Sequence, residues 1–238
     1  MSFSVIDSLK KAFLVKPHPA GMPFIIGGLL ATLLFLMLSE ELALAGVVFT
    51  LFCLFFFRDP QRVIPQTPSL IVAPADGIVS GITQGVNLPA EIAEGDQGAY
   101  TRISIFLSVL DVHVNRFPVS GTVIRKVYKP GRFLNAELDK ASEENERCSL
   151  VIETEDHLHF GLVQIAGLVA RRIVTQTGAG EPARIGHRYG IIRFGSRVDV
   201  YMPHGIAPLV CVGQRAIGGE TVLADIENRE PSRTGAVN

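Results

Sequence analysis

Cysteine is scarce in this chain, and the three that occur, Cys53, Cys148 and Cys211, are odd in number and show no Cys-x-x-Cys spacing. That argues against a disulfide framework and against a zinc site, so no metal is expected, and it fits a reducing compartment. Net charge is equally scarce. Twenty-two basic against 23 acidic side chains leave −1, which gives no electrostatic reason to expect nucleic acid, and no nucleic-acid-binding signature is present. A cleaved signal peptide is not expected either. Such a leader has one short apolar run and a small-residue cleavage site, whereas here two apolar runs flank an acidic turn.

The hydrophobic fraction, 47% of 238 residues, is high for a soluble protein, and the excess lies before Arg58. The length suits one medium domain with an appendage. Phe3, Ile6, Leu9 and Phe13 stand at helical spacing with Asp7, Ser8, Lys10 and Lys11 around them. They read as a basic amphipathic helix on a membrane surface, or as a disordered leader. After Pro17-His18-Pro19 an uncharged run reaches Leu38, and beyond Ser39-Glu40-Glu41 a second runs from Leu42 to Phe57. The pair predicts a helical hairpin. Each run, about 16 residues, makes roughly 24 Å of helix against a ~30 Å hydrocarbon core. Spanning, dipping into one leaflet, and a buried helical pair all stay open. Lys10, Lys11 and Lys16 precede the pair, Arg58 and Arg62 follow it, and the turn carries no basic residue. Both termini are therefore expected in the cytoplasm.

From Val63 the texture changes to short apolar stretches divided by Gly, Pro, Asn and Asp. The fold class expected is mainly β, with residues 1–62 as amphipathic helix plus membrane-anchoring hairpin and 63–238 as a β-rich domain. Twelve strands are expected, among them 70–73, 77–82, 102–109, 112–117, 157–165, 170–175, 189–194, 197–202, 209–212 and 221–226; the one weak helix is 135–146. Gly77 to Gly81, Val119 to Val123 and Val212 to Ala224 resemble the turns of biotinyl and lipoyl carrier barrels. No lysine occupies a carrier position, which leaves a barrel-sandwich-like architecture without a swinging arm.

Between two alternating runs lies Arg193-Phe194-Gly195-Ser196-Arg197. Glycine permits backbone angles denied to other residues and leaves its carbonyl carbon unshielded, so a tight bend here would press the Ser196 hydroxyl against Gly195. Alone, this is an ordinary strand-turn-strand.

Its companions make it more. His-Pro-x-Gly-x-Pro-Phe (18–24), Phe-Phe-Arg-Asp-Pro-x-Arg (56–62), Ala-Pro-Ala-Asp-Gly (73–77), Asp-Val-His-Val-Asn-Arg-Phe-Pro (111–118), Gln-Ile-Ala-Gly-x-Val-Ala-Arg-Arg-Ile (164–173) and Arg-Phe-Gly-Ser-Arg (193–197) run in order along nearly the whole chain. The set resembles phosphatidylserine decarboxylase, in its short prokaryotic branch. The resemblance implies a proenzyme that cuts itself between Gly195 and Ser196, turning Ser196 into a covalent pyruvoyl cofactor. That group forms a Schiff base with the amine of phosphatidylserine and takes up the electron pair as carbon dioxide leaves.

It also implies roles by position. Asp76 matches an aspartate implicated in maturation, where it would orient the base that activates Ser196. His113 matches the first histidine of the longer enzymes' Asp-Tyr-His-x-x-His pattern and suits proton transfer to or from the substrate carbon. The second histidine of that pattern falls on Arg116, so the maturation base cannot be carried across. His187 and His159 are the substitutes. Arg171 and Arg172 are candidates for the lipid phosphate; as strand neighbours they point to opposite faces, so at most one serves. The partners expected are membrane phosphatidylserine and the two associated cleavage chains, with no nucleic acid and a homo-oligomer left open. The place expected is the cytoplasmic face of a bacterial inner membrane. Two other readings are carried: a membrane-anchored β-barrel adaptor without chemistry, and a decarboxylase of an archaeal-type ether phosphatidylserine.

Overall fold

The computed structural model describes residues 15–95, 98–134, 144–167, 172–193, 195–228 and 231–236. The chain divides into two compact units between Gln61 and Arg62. In the first unit a 3₁₀ turn, Pro19–Gly21, leads into α1 (Met22–Phe35), and α2 (Glu40–Phe56) follows. Ser39 caps α2 by accepting the Leu42 N–H at 3.2 Å. Glu40 and Glu41 fill its first turn, where carboxylates meet the positive end of the helix dipole. The acidic turn is thus also a helix start.

The two helices run antiparallel on a seam of small residues. A Cβ on Gly28 would lie 2.6 Å from Thr50 Oγ1, and one on Gly46 would lie 3.0 Å from Thr32 Cα, so neither position has room for a side chain. Away from the seam, Leu30, Leu33, Leu34, Leu44, Val48 and Leu51 are exposed, leaving a pair that is apolar all round. Among the described residues no helix is long and apolar enough to cross a membrane. The amphipathic helix expected before Lys16 lies almost wholly outside the described residues.

The second unit is built on strands β1 (Leu70–Val72), β2 (Gly77–Val86), β3 (Tyr100–Leu107), β4 (Val114–Arg116), β5 (Gly121–Lys129), β6 (Arg147–Glu153), β7 (His159–Ala166), β8 (Ile173–Thr175), β9 (Pro182–Ala183), β10 (Arg188–Ile192), β11 (Ser196–Pro203), β12 (Arg215–Ala216) and β13 (Val222–Asp225), with one short helix, α3 (Ala90–Ala93). Among the described residues they make an eight-stranded sheet in the order β12-β2-β3-β11-β7-β6-β5-β9, a three-stranded sheet β4-β10-β8 and the pair β1-β13. All the ladders between these strands are antiparallel. The large sheet curls into a half-barrel. Ile71, Ile173, Tyr189, Ile192 and Leu223 from the two small sheets share one core with Ile105, Leu162 and Val200 from the large one.

Strand β11 runs through the middle of this sheet, and its alternation decides what it can do. Val198, Val200 and Met202 point into the main core, while Tyr201 points to the other face among Leu88, Ile92 and Ile165. Arg197 and Asp199 share that second face as an ion pair, with Nη2 donating to Oδ2 at 2.9 Å and Nε 2.8 Å from Oδ1 outside hydrogen-bond geometry, and side chains 3% and 0% exposed. A charge so buried stands only with such a partner.

Some expectations shift. Residues 209–212 form no strand; the Leu209 N–H donates to the Leu223 carbonyl at 2.8 Å beside an isolated bridge from Pro208, which has no N–H to donate, to Ala224. Most of the helix expected at 135–146 lies outside the described residues. At its end Asn145 is held out of helix, donating to the Leu134 and Ala166 carbonyls and accepting the Leu134 N–H. Strands β9 and β12, two residues each, are too short to show a period in the sequence.

Candidate active site

Gly195 has φ +62°, in the left-handed region that favours glycine. A Cβ there would meet nothing within 4 Å, so backbone angle and not space is the constraint. The bend expected to hold both residues sits at Gly195 alone. Ser196 already belongs to β11, opposite Leu107 of β3 and Ala166 of β7. By alternation its side chain joins the core face of Val198 and Val200. It is 0% exposed, and its Oγ has no hydrogen-bond partner among the described residues. Such an orphan costs about 1–3 kcal/mol, a cost that calls for an explanation in chemistry.

His113, fully buried, stands just before β4. Its carbonyl accepts the Ile192 N–H at 3.3 Å, which ties it to the end of β10 that leads into Gly195. The ring is fixed at both nitrogens: Nδ1 lies 3.0 Å from the Asp111 carbonyl oxygen, and the Gly195 N–H donates to Nε2 at 3.2 Å. A carbonyl oxygen only accepts, so Nδ1 carries the hydrogen, and the single lone pair of Nε2 takes the N–H of Gly195, the residue that precedes Ser196. Asp111 is itself locked. Its Oδ2 accepts from Ser108 N–H at 2.9 Å and Ser108 Oγ at 2.8 Å, and its Oδ1 accepts from Arg215 at 2.5 Å.

Asp76 comes just before β2. Ile78 of that strand is level with Phe106 and Arg197, so Asp76 lies at the Ser196 edge of the sheet, two strands away, roughly 10 Å at ~4.8 Å per strand. Arg62 Nη2 donates to both its oxygens, at 2.9 and 2.7 Å, and the Gly218 N–H donates to Oδ1 at 2.9 Å. Burial raises its pKa; Arg62 and the Gly218 N–H pull it down, and nearby Asp111 adds to the rise. Asp76 was expected to orient a histidine base. It is held by Arg62 and Gly218, and His113 Nδ1 bonds the Asp111 backbone carbonyl.

The two substitute bases are placed elsewhere. His187 is exposed at the start of β10 and its carbonyl accepts the Phe117 N–H. Gly195 follows the other end, so roughly 17 Å of strand at ~3.3 Å per residue separates them. His159 opens β7, whose last residue, Ala166, faces Ser196. Seven residues of strand put it roughly 23 Å off, beside Glu153. Arg172 is exposed, and its carbonyl accepts the Arg193 N–H at 3.3 Å, which brings it near the site. Burial and then the charge of Arg172 lower the pKa of Arg193. Arg171 lies outside the described residues.

Sequence reasoning missed Arg62, Asp111, Arg215 and a buried polar chain in which Thr175 Oγ1 donates to Gln164 Oε1 and Gln164 Nε2 donates to Asn115 Oδ1, both at 2.7 Å. A signal was present for two of these: Gln164 interrupts the apolar run of β7 and Asn115 interrupts β4, and a polar residue turned toward a core needs a purpose.

Comparison with known proteins bears on this site. A family model described as phosphatidylserine decarboxylase matches residues 49–224, which include Asp76, His113, Gly195 and Ser196. A phosphatidylserine decarboxylase proenzyme of Granulibacter bethesdensis is 53% identical over 223 residues, 94% of this chain and 90% of the relative. Those of Cereibacter sphaeroides (49% over 231 residues, 97% and 98%) and Beijerinckia indica (53% over 230 residues, 96% and 97%) are similar over as much. A mainly β fold with a buried, unpaired serine after a left-handed glycine fits a self-processing enzyme. The chain belongs to the phosphatidylserine decarboxylase family.

Proposed function

We propose that this chain is a self-processing decarboxylase that converts phosphatidylserine to phosphatidylethanolamine. The observation that carries the reading is the buried, unpartnered Ser196 hydroxyl next to the Gly195 N–H that His113 Nε2 accepts, in a chain about half identical to proenzymes of that name.

In maturation, the Gly195 N–H releases His113 Nε2, and the freed lone pair takes the proton of Ser196 Oγ as that oxygen attacks the Gly195 carbonyl carbon. The C–N bond breaks, an ester forms, and the proton passes to the freed Ser196 nitrogen. Loss of the Ser196 Cα proton then expels the Gly195 carboxylate and releases a 195-residue piece from a 43-residue piece. Addition of water and loss of ammonia convert residue 196 into a pyruvoyl group, for which a serine on the inner face beside a base is the fitting precursor. Once formed, that group supplies an electron sink for the pair left by carbon dioxide.

The sequence suggested separate bases for cleavage and turnover. The 3.2 Å contact at Gly195 favours His113 for both, giving back a proton to the substrate carbon during turnover, with Asp76 as a charged strut between Arg62 and Gly218. Arg172 is the nearer candidate for the lipid phosphate. After the cut, the pieces stay together. Strand β11 remains paired on both sides, and Asp76–Gly218 and Asp111–Arg215 cross from the long piece to the short one. The half-barrel closed by two small sheets is read as barrel-sandwich-like, and the apolar helical pair as an anchor in the cytoplasmic leaflet of a bacterial inner membrane.

The test is carbon dioxide release from carboxyl-labelled phosphatidylserine in mixed micelles. Wild type should release label and Ser196→Ala should release none. Release by Ser196→Ala at the wild-type rate would overturn the proposal.

A further inference from the structure

Asn115 is 0% exposed, and its side chain has been oriented by others. Thr175 Oγ1 donates to Gln164 Oε1, and Gln164 Nε2 donates to Asn115 Oδ1, both at 2.7 Å. A flipped Asn115 would set NH₂ against NH₂. Three strands, β8, β7 and β4, thus cooperate to hold one amide. A fourth makes room, because a Cβ on Gly190, the residue opposite Asn115, would lie 3.1 Å from Gln164 Nε2. The outcome is Asn115 Nδ2 fully buried with no hydrogen-bond partner among the described residues. Folding rarely tolerates such a group without a use for it.

The register says where this donor lies. Gln164 is opposite Val198, and Ala166 is opposite Ser196, so Gln164 and Ser196 are diagonal neighbours on one face, about 7–8 Å apart at Cα. Asn115 follows His113 by two residues, and both are tied to β10, Asn115 opposite Gly190 and His113 through its carbonyl to the Ile192 N–H. Two orphaned polar groups, Ser196 Oγ and Asn115 Nδ2, therefore flank one core, the second joined to Gln164 on the strand beside Ser196, and His113, two residues before Asn115, is bonded to Gly195.

We infer that the Asn115 carboxamide is the hydrogen-bond donor to the oxyanion that forms at the Gly195 carbonyl during self-cleavage. When Ser196 Oγ bonds to that carbon, the carbonyl π pair moves onto oxygen as negative charge; when the tetrahedral centre collapses, the pair returns and the bond to the Ser196 nitrogen breaks. A donor already fixed in a dry site stabilises the charge without reorganising, and one such donor is typically worth about 10²–10³ in rate. Asn115 is thereby kept for maturation by a network that touches neither Ser196 nor His113.

The inference rests on self-processing at Gly195–Ser196. Its test is the first-order rate of cleavage, after cell-free synthesis, of wild type, Asn115→Leu and Asn115→Asp from pH 6 to 9.5. Asn115→Leu should be slower by about 10²–10³-fold. Aspartate keeps an acceptor for Gln164 but donates only while protonated, so the ratio of Asn115→Asp to wild type should fall as pH rises, and dividing by wild type removes the titration of His113. A ratio that is flat with pH, or an Asn115→Leu rate within threefold of wild type, overturns the inference. If Asn115→Leu does not fold, the Asn115→Asp ratio decides. Wild type that is never cut at this bond would instead overturn the underlying reading.

Discussion

Glutamine in place of His113 is the sharpest perturbation of the proposed maturation step. Its side-chain oxygen can still accept the Gly195 N–H, as His113 Nε2 does at 3.2 Å, and its volume suits a fully buried position. What it lacks is basicity. Proton transfer by a positioned group is worth about 10²–10⁴ in rate, or about 3–5 kcal/mol of barrier, and His113→Gln should lose that much in self-cleavage. The assay follows full-length precursor and pieces on a denaturing gel after cell-free synthesis, with circular dichroism to confirm the fold. Asp76→Asn is the control, since that carboxylate bonds Arg62 and Gly218, and it should slow cleavage less. If His113→Gln cleaves within threefold of wild type, His113 is not the base. If Asp76→Asn abolishes cleavage at the same time, the division of roles expected from sequence is right and the transfer to His113 is wrong.

Three further outcomes follow from the geometry. Asp199→Ala strands Arg197 without its buried partner and should destabilise the fold by about 3–5 kcal/mol in urea denaturation; a loss under 1 kcal/mol would mean the pair is already hydrated. The raised pKa of Asp76, caused first by burial, means that the folded state binds a proton the unfolded state gives up. Its contribution is therefore full below the ordinary carboxylate value and lost as pH rises through the raised one. Wild type should thus lose stability relative to Asp76→Asn as pH rises through the acid range, and a gap that moves the other way would show that the Arg62 pairing outweighs burial. Helix α2, with 17 residues, reaches about 26 Å, short of the ~30 Å hydrocarbon core. An impermeant thiol reagent outside intact cells should therefore label neither Ser39→Cys nor a cysteine added at the C-terminus; label at Ser39 would mean that the pair crosses, and label at the C-terminus alone would reverse the orientation.

How much of this was legible beforehand depended on the range of the interactions involved. The strands with clear alternation, such as Arg188–Ile192 and Ser196–Pro203, stood out because side-chain period is local. So did Gly195, since a glycine-serine pair between two apolar runs marks a bend. The two-residue strands β9 and β12 did not, because pairing with a distant strand is what makes them strands. The same limit governed the site. Asp76 and His113 were found through motifs, yet what each one touches depends on Arg62, Gly218, Asp111 and Gly195, which the fold gathers from far along the chain. His187 and His159 were reasonable bases by residue type alone, and strand direction carries both to the far ends of their strands.

The claim that the protein makes its own reactive group from Ser196 is tested most directly by the intact mass of the denatured protein beside that of Ser196→Ala. Wild type should give a 195-residue chain and a 43-residue chain, the shorter lighter than its encoded sequence by the mass difference of serine turned to pyruvoyl, one ammonia, while Ser196→Ala should remain one chain of full mass. A single uncut wild-type chain in an active preparation, or a short chain that still carries an N-terminal serine, would contradict the account.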